Sequence, residues 1–429
     1  MREENEIEAV MNNDRVTVSF AAIINLKEPL DKKALNSAWF NVRRLNPFLR
    51  GRWENKVFVK FDHTDSDQLL EQGPEYRKSE DFKDDFQRVT NEFTFERLNE
   101  LSFPSHLVVF GEGKRIQLTI LIIHSLCDGK SMQKILTDLL LFYQHKNLNI
   151  YTGCETIDGR IEDVPKPISD LRQNLHNFPE KAKKYKKEFH DRLLNFQNVV
   201  PHEKFENIEK GRPQDLKSTM TLGCGTEEGA KKMKIFCKEN GITVGSLLMA
   251  ATAFINARIM RSIEKSKQLN FDVIFNLRPF LAANPVACYI FFSGTVPKVD
   301  ASETLLEVAK RMIEEVKEKI DNSEHLMFPQ FLHQLEDDGG TYKKIMDANN
   351  GVSNSISFSN IGQMNMETLN VTLPEITVDE VYCSGTRWNN VVEYTFLFQS
   401  TKKLCITITH FDLEVYRVAG ELSKIDFFI

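Results

Sequence analysis

One imidazole in this sequence has neighbours that suit proton transfer. His124 begins the run His124-Ser-Leu-Cys-Asp128-Gly129. A ring with a pKa near 6.5 accepts a proton from an attacking group at neutral pH. An aspartate four residues on can orient such a ring. It can equally cap a helix that begins there. A glycine at 129 permits backbone that a side chain would forbid. Cys127 offers a second reading, a Cys/His nucleophile pair. That reading ranks lower, because no cysteine-hydrolase signature surrounds it.

These residues need a frame. Upstream, Ile116, Leu118, Ile120 and Ile122 interleave with Gln117, Thr119, Leu121 and Ile123, which predicts a buried strand. Downstream the period changes. Met132, Ile135, Leu136, Leu139, Leu140 and Tyr143 make one apolar face of a helix. His124, Asp128 and Gly129 therefore fall in a tight strand-to-helix turn that aims the ring from the end of a strand.

Further elements follow the same logic. Val16 to Leu26 reads as a strand. Asp31 is a plausible N-cap for a helix with the stripe Leu35, Ala38, Trp39, Val42 and Leu45. That helix ends at Asn46-Pro47, since the residue before proline avoids helix. Phe82, Phe86, Phe93 and Phe95 are expected core anchors, and a hairpin is expected across Gly111-Glu-Gly113. Residues 151–215 are punctuated by prolines and carry the charged helix Glu180–Glu188. In the second half, a helix stops at Gly241 and Thr243 caps the next. Strands are expected at 269–275 and 352–358, a helix at 302–320, and a hairpin joins 391–398 to 404–409. The expected domains are 1–150 and 216–429, with 151–215 connecting them.

The motif His124-x-x-x-Asp128-Gly129, set between strand and helix, resembles the signature of the CoA-dependent acyltransferase superfamily. That superfamily includes alcohol acetyltransferases, peptide-synthetase condensation domains and chloramphenicol acetyltransferase. Three more stretches are similar to it in family order. They are Asn46-Pro-Phe-Leu-Arg50, Asn276-Leu-Arg278 after a strand, and Ser357-Phe-Ser359-Asn360-Ile-Gly362. Two features depart from its branches. No Asp-Phe-Gly-Trp-Gly stretch of the plant-type enzymes is present, and Ile123 stands where condensation domains carry a second histidine. The alcohol acetyltransferase-like or condensation-domain-like branch fits best.

The resemblance implies an α/β fold. Two chloramphenicol acetyltransferase-like domains, mixed sheets flanked by helices, would face each other across a channel. It implies acyl transfer from a thioester, acyl-CoA first and a carrier-protein thioester second, to a small-molecule alcohol or amine. His124 would be the general base. Asp128 would pair with an arginine to shape the loop, Arg278 first and Arg50 second. Ser357, Ser359 or Asn360 would donate to the oxyanion. No metal and no tightly bound cofactor is required, with acyl-CoA serving as co-substrate. A catalytically inactive scaffold of the same fold is the alternative outside enzymology.

Composition narrows the partners. The 429 residues carry a net charge of −6, which argues against nucleic acid. The N-terminus is polar, unlike a signal peptide. The longest apolar stretch, Val244 to Ala257, is too short to span a bilayer. A cytoplasmic monomer is expected. The Lys run of 180–188 suggests peripheral membrane contact, but a solvated helix face is the preferred reading. Seven cysteines show no CxxC or metal-ligand spacing, as expected of thiols in a reducing compartment.

Overall fold

The computed structural model describes residues 2–3, 16–54, 57–60, 72–145, 183–184, 187, 218–263, 271–276, 290–295, 303–321, 354–364, 373–385, 391–400 and 403–411. The chain divides into two units. The first is Met1–Ser169, Arg278–Tyr289 and Gln363–Thr386; the second is Asp170–Leu277, Ile290–Gly362 and Arg387–Ile429.

In the first unit, β1 (Arg2–Glu3) pairs with β4 (Val57–Lys60), which also pairs with β3 (Gly51–Glu54) in a small sheet. The main sheet contains β2 (Thr17–Leu26), β5 (Glu75–Arg77), β6 (Ser105–Phe110) and β7 (Arg115–Ile123). A fifth strand, Ile376–Gly385, comes from far along the chain and pairs antiparallel with β2. β2 and β7 are central and antiparallel. Nearly every residue of both is buried. Burial on both faces is why they read as near-continuous apolar runs. Even Gln117 and Thr119 of β7 lie inside, where the Gln117 side-chain amide donates to Thr119 Oγ1 at 3.0 Å.

Helix α1 (Lys32–Leu45) starts as its sequence dictates. The Asp31 carboxylate accepts from the Ala34 N–H at 3.0 Å. Its stripe Leu35, Ala38, Trp39 and Val42 is buried, and Asn46 is extended ahead of Pro47. α2 (Phe82–Glu92) and α3 (Phe95–Glu100) bury Phe86 and Leu98. Phe93 is buried as expected, while Phe82 and Phe95 are half-buried. The hairpin β6–β7 turns through Gly111 and Gly113, at φ 86° and 93°. A Cβ on Gly111 would also lie 3.1 Å from the Arg115 carbonyl. α4 (Gly129–Gln144) follows β7 and packs on α1.

The second unit holds β8 (Ser218–Cys224), α5 (Glu227–Glu239), α6 (Val244–Ile263), β9 (Phe271–Asn276), β10 (Ile290–Thr295), α7 (Leu305–Asp321) and β11 (Asn354–Met364). With Ile376–Gly385 labelled β12, it is completed by β13 (Val391–Ser400) and β14 (Leu404–Phe411). Its sheet order is β10-β9-β11-β13-β14-β8. β9 and β11 are parallel, and the β13–β14 hairpin is antiparallel. α5 ends at Gly241, whose φ is 67°, and Thr243 Oγ1 caps α6 by accepting from the Ser246 N–H at 3.0 Å. Ala230, Met233, Leu247, Leu248, Val308 and Met312 belong to one core.

The division into 1–150 and 216–429 needs a correction. β12 belongs to the first unit's sheet, because its backbone completes the open side of β2. Sheet pairing between distant segments leaves no local mark that distinguishes it from pairing nearby. The connection 151–215 lies outside the described residues, apart from three positions of its charged helix.

Candidate active site

β7 delivers the chain to His124, where a single 3₁₀ turn, His124–Leu126, follows. The His124 N–H donates to the Val16 carbonyl at 2.9 Å, and the Cys127 N–H returns to the His124 carbonyl at 3.2 Å. Ser125, Leu126 and Cys127 are fully buried, whereas His124 is partly exposed. The turn is thus pinned through the backbone N–H and carbonyl of His124.

The protein crowds the imidazole. Desolvation is the largest influence and holds its pKa below the usual histidine value. Backbone hydrogen bonds to His124 itself and to Cys127, with the Asp128 charge between them in strength, oppose that shift. The net effect favours the neutral imidazole, the form a general base requires.

Asp128 is 1% exposed. Its carboxylate accepts from the Ser131 N–H at 2.9 Å and caps α4. Of the two roles open to it in the sequence, capping is thus present. Gly129 is the first residue of α4, and it is not among the glycines with positive φ. The expected need for backbone forbidden to other residues is therefore not met at 129, because the turn is closed by the 3₁₀ bond and the cap instead. Cys127 is 0% exposed, with Sγ 3.5 Å from the Asp128 carbonyl oxygen. Burial in a packed turn does not suit a nucleophile.

α4 is fixed against α1 by polar contacts that sequence reading missed. The Asp31 N–H donates to the Tyr143 hydroxyl at 3.0 Å. Asp138, buried on α4, pairs with Lys134 at 2.7 Å. Burial raises its pKa, and Lys134 and a hydrogen bond from the Asn46 side chain oppose the rise. Asn46 also donates to the Val42 carbonyl at 2.8 Å. Asn46-Pro47 thus ends α1 and grips the helix that carries the motif. An asparagine at a helix stop was the available signal, but its partner lies 92 positions away in sequence (138 − 46).

Arg50 closes a short 3₁₀ turn, Pro47–Arg50, and is 2% exposed. Arg278 lies outside the described residues. In the second unit, Ser357, Ser359 and Asn360 lie on β11. Ser357 is 1% exposed, and its hydroxyl has no hydrogen-bond partner among the described residues. Ser359 is half-buried and Asn360 exposed. Asn360 Oδ1 accepts from the Gly362 N–H at 3.0 Å, and Gly362 has φ 84°. The Asn360 amide rests on Gly245, near the start of α6. A Cβ at 245 would fall 2.4 Å from Asn360 Nδ2. Gly245 is a second residue that the sequence did not single out.

His106 and His145 have structural surroundings. His106 is buried, 3.1 Å from Glu75 and stacked on Phe93. His145 ends α4. His325 lies outside the described residues. Among the described residues no group of three or more His, Cys, Asp or Glu could hold a metal ion. No helix there is long and apolar enough to cross a membrane.

No family model matches this sequence, and no curated protein matches it either. Solved structures do. A trichothecene 15-O-acetyltransferase from Fusarium sporotrichioides is similar, with TM-score 0.74 at 14% identity, over 100% of this chain and 95% of that one. The first condensation domain of the CDA synthetase gives TM-score 0.63 at 12% identity, covering 99% and 95%. Polyketide synthase associated protein 5 from Mycobacterium tuberculosis gives TM-score 0.61 at 12% identity, covering 99% and 97%. The chain has the chloramphenicol acetyltransferase-like fold of the CoA-dependent acyltransferases and condensation domains. Its α/β architecture, with mixed sheets in two units, is the one the motif resemblance implied. The identities are low enough that the likeness concerns the fold alone.

Proposed function

We propose that this protein is an acyltransferase that moves an acyl group from a thioester, acyl-CoA, to the hydroxyl or amine of a small molecule. His124 is the general base. The supporting observation is its position: a partly exposed residue at a strand end, in a turn pinned by backbone hydrogen bonds, with desolvation favouring the neutral ring. As the acceptor oxygen or nitrogen attacks the thioester carbonyl, the imidazole takes its proton. The tetrahedral oxyanion needs a donor, and the Ser357 hydroxyl, with Ser359 and Asn360 as further candidates, supplies it. Collapse breaks the C–S bond, and the thiolate leaves as the imidazolium returns the proton. Asp128 serves the turn by capping α4, and either Arg278 or Arg50 is the candidate ionic partner for its remaining charge.

A carrier-protein thioester as donor is the second reading, favoured by the condensation domains that share the fold. The test is release of free thiol from a series of acyl-CoAs, each offered with a panel of alcohols and amines. Turnover with acyl-CoA supports the first reading. Turnover only with an acylated carrier protein supports the second. Failure with both, by folded protein, would support a scaffold without chemistry.

The pH dependence has a definite sign. The neutral ring is the active form and its pKa is lowered, so the rate should rise with pH through a midpoint below the usual histidine pKa of about 6.5. A pH–rate profile measured under kcat/KM conditions checks this. A midpoint well above that value would mean that another group controls the rate.

A further inference from the structure

Two of the cysteines face each other in one sheet. Cys224 closes β8 and Cys405 lies near the start of β14, and the antiparallel register makes them direct partners. The adjoining positions are Gly225 and Leu404, where the Gly225 N–H donates to the Leu404 carbonyl at 2.8 Å. Hydrogen-bonded and non-hydrogen-bonded pairs alternate in such a ladder. Cys224 and Cys405 therefore occupy the non-hydrogen-bonded position, where Cα atoms approach to about 4.5 Å and side chains are closest. That spacing lies within the roughly 4.4–6.8 Å that a disulfide bridges. Their sulfurs are 2.7 Å apart. Cys224 is partly exposed and Cys405 is buried.

Other described cysteines have a different setting. Burial pushes the Cys237 thiol up to about 11, and Cys383 further. Neither offers thiolate near neutral pH.

We infer that Cys224 and Cys405 form a modification site, a cross-strand dithiol that a peroxide converts to a disulfide. The Cys224 thiolate attacks one peroxide oxygen, the O–O bond breaks, and the departing hydroxide takes a proton to become water. Cys224 is then a sulfenic acid. The Cys405 thiol attacks that sulfur, the S–S bond forms, the S–O bond breaks, and the oxygen leaves as a second water. Two thiols lose two electrons, and one peroxide is reduced to two waters. A dithiol reductant reverses the bond by exchange. β8 is the outermost strand of its sheet, so the bond fastens that edge to β14. It also joins residues 181 positions apart, a span whose closure strongly restricts the unfolded chain.

The test uses the full chain treated with hydrogen peroxide, followed by alkylation of remaining thiols and peptide mapping. The expected result is a linked peptide pair bearing Cys224 and Cys405, and two fewer titratable thiols. Dithiothreitol should restore both. The oxidised wild type should melt higher by about 5 °C or more. Cys224→Ser, at the partly exposed position, should give no link and no shift. Cys405→Ser is the second control if the first folds poorly. Recovery of Cys405 as an alkylated thiol while Cys224 carries sulfinic acid would overturn the inference. A linked pair with an unchanged melting temperature would overturn the fastening of β8.

Discussion

The motif turn after β7 and the end of β11 carry the candidate catalytic groups, and they are held in opposite ways. At the turn, backbone hydrogen bonds do most of the holding, with the Asp128 cap beside them. The His124 N–H is tied to Val16, and the 3₁₀ turn closes on the His124 carbonyl. At the end of β11, side chains and small residues do the holding. The Asn360 amide folds back on Gly362 and sits on Gly245, and Ser357 keeps a buried hydroxyl without a partner among the described residues. A group held by backbone tolerates change in neighbouring side chains. A group held by side-chain contacts is sensitive to a single added methyl.

The largest effect tests the turn. His124→Ala should lower acyl transfer by about 10²–10⁴-fold, the size of a general-base contribution. Stability should change little, since the residue is partly exposed. Steady-state kinetics and a thermal melt on the same preparation check both. Near-normal turnover in the folded variant would remove His124 from the mechanism. The next effect tests β11. Ser357→Ala should lower kcat by about 10²–10³-fold if its hydroxyl meets the oxyanion. Loss of a buried hydroxyl without a partner among the described residues should leave stability unchanged or raised. A lower melting temperature with unchanged kcat would reverse that assignment and move it to Ser359 or Asn360.

The same contrast explains what could be read from the sequence. The turn was legible because its signals are local. A β-rich run, a helical stripe and an Asp at the cap position all lie between residues 115 and 143. The Asp31, Thr243 and Gly241 signals were legible for the same reason, and each does what its type predicts. What stayed hidden depends on contacts distant in sequence. β12 reaches back to β2, Asn46 reaches Asp138, and Gly245 meets Asn360. Glycine at a helix start reads locally as weak helix propensity, and only the approach of Asn360 gives it a purpose. Gly129 shows the converse: a local rule suggested unusual backbone, and the cap made that unnecessary.

Asp128 sharpens the comparison at a smaller scale. Asp128→Ala removes the acceptor for the Ser131 N–H and should cost about 1 kcal/mol, the usual loss of an N-cap. Asp128→Asn keeps a good cap while removing the charge. If capping is its main task, Asn should restore most of the stability lost with Ala. Denaturant melts of the two variants decide this. An equal loss with Asn would mean that the charge itself is paired, and a cycle with Arg50→Ala and Arg278→Ala would find its partner.

The smallest expected effect is at Gly245. Alanine there places a Cβ 2.4 Å from Asn360 Nδ2, so the amide must move. That amide is the far end of an exposed side chain, so it can swing aside at low cost. Alanine is also the better helix former, by up to about 1 kcal/mol. Gly245→Ala should therefore melt at or above the wild-type temperature. Catalysis should respond differently, because the displaced amide releases the Gly362 N–H and loosens the end of β11. A few-fold fall in kcat is expected. Asn360→Ala should reproduce it, and the double variant should be no worse than either single one, since both act through one contact. Additive losses would show that Gly245 matters for something other than seating Asn360. A marked drop in melting temperature would show that the second region is held as rigidly as the first.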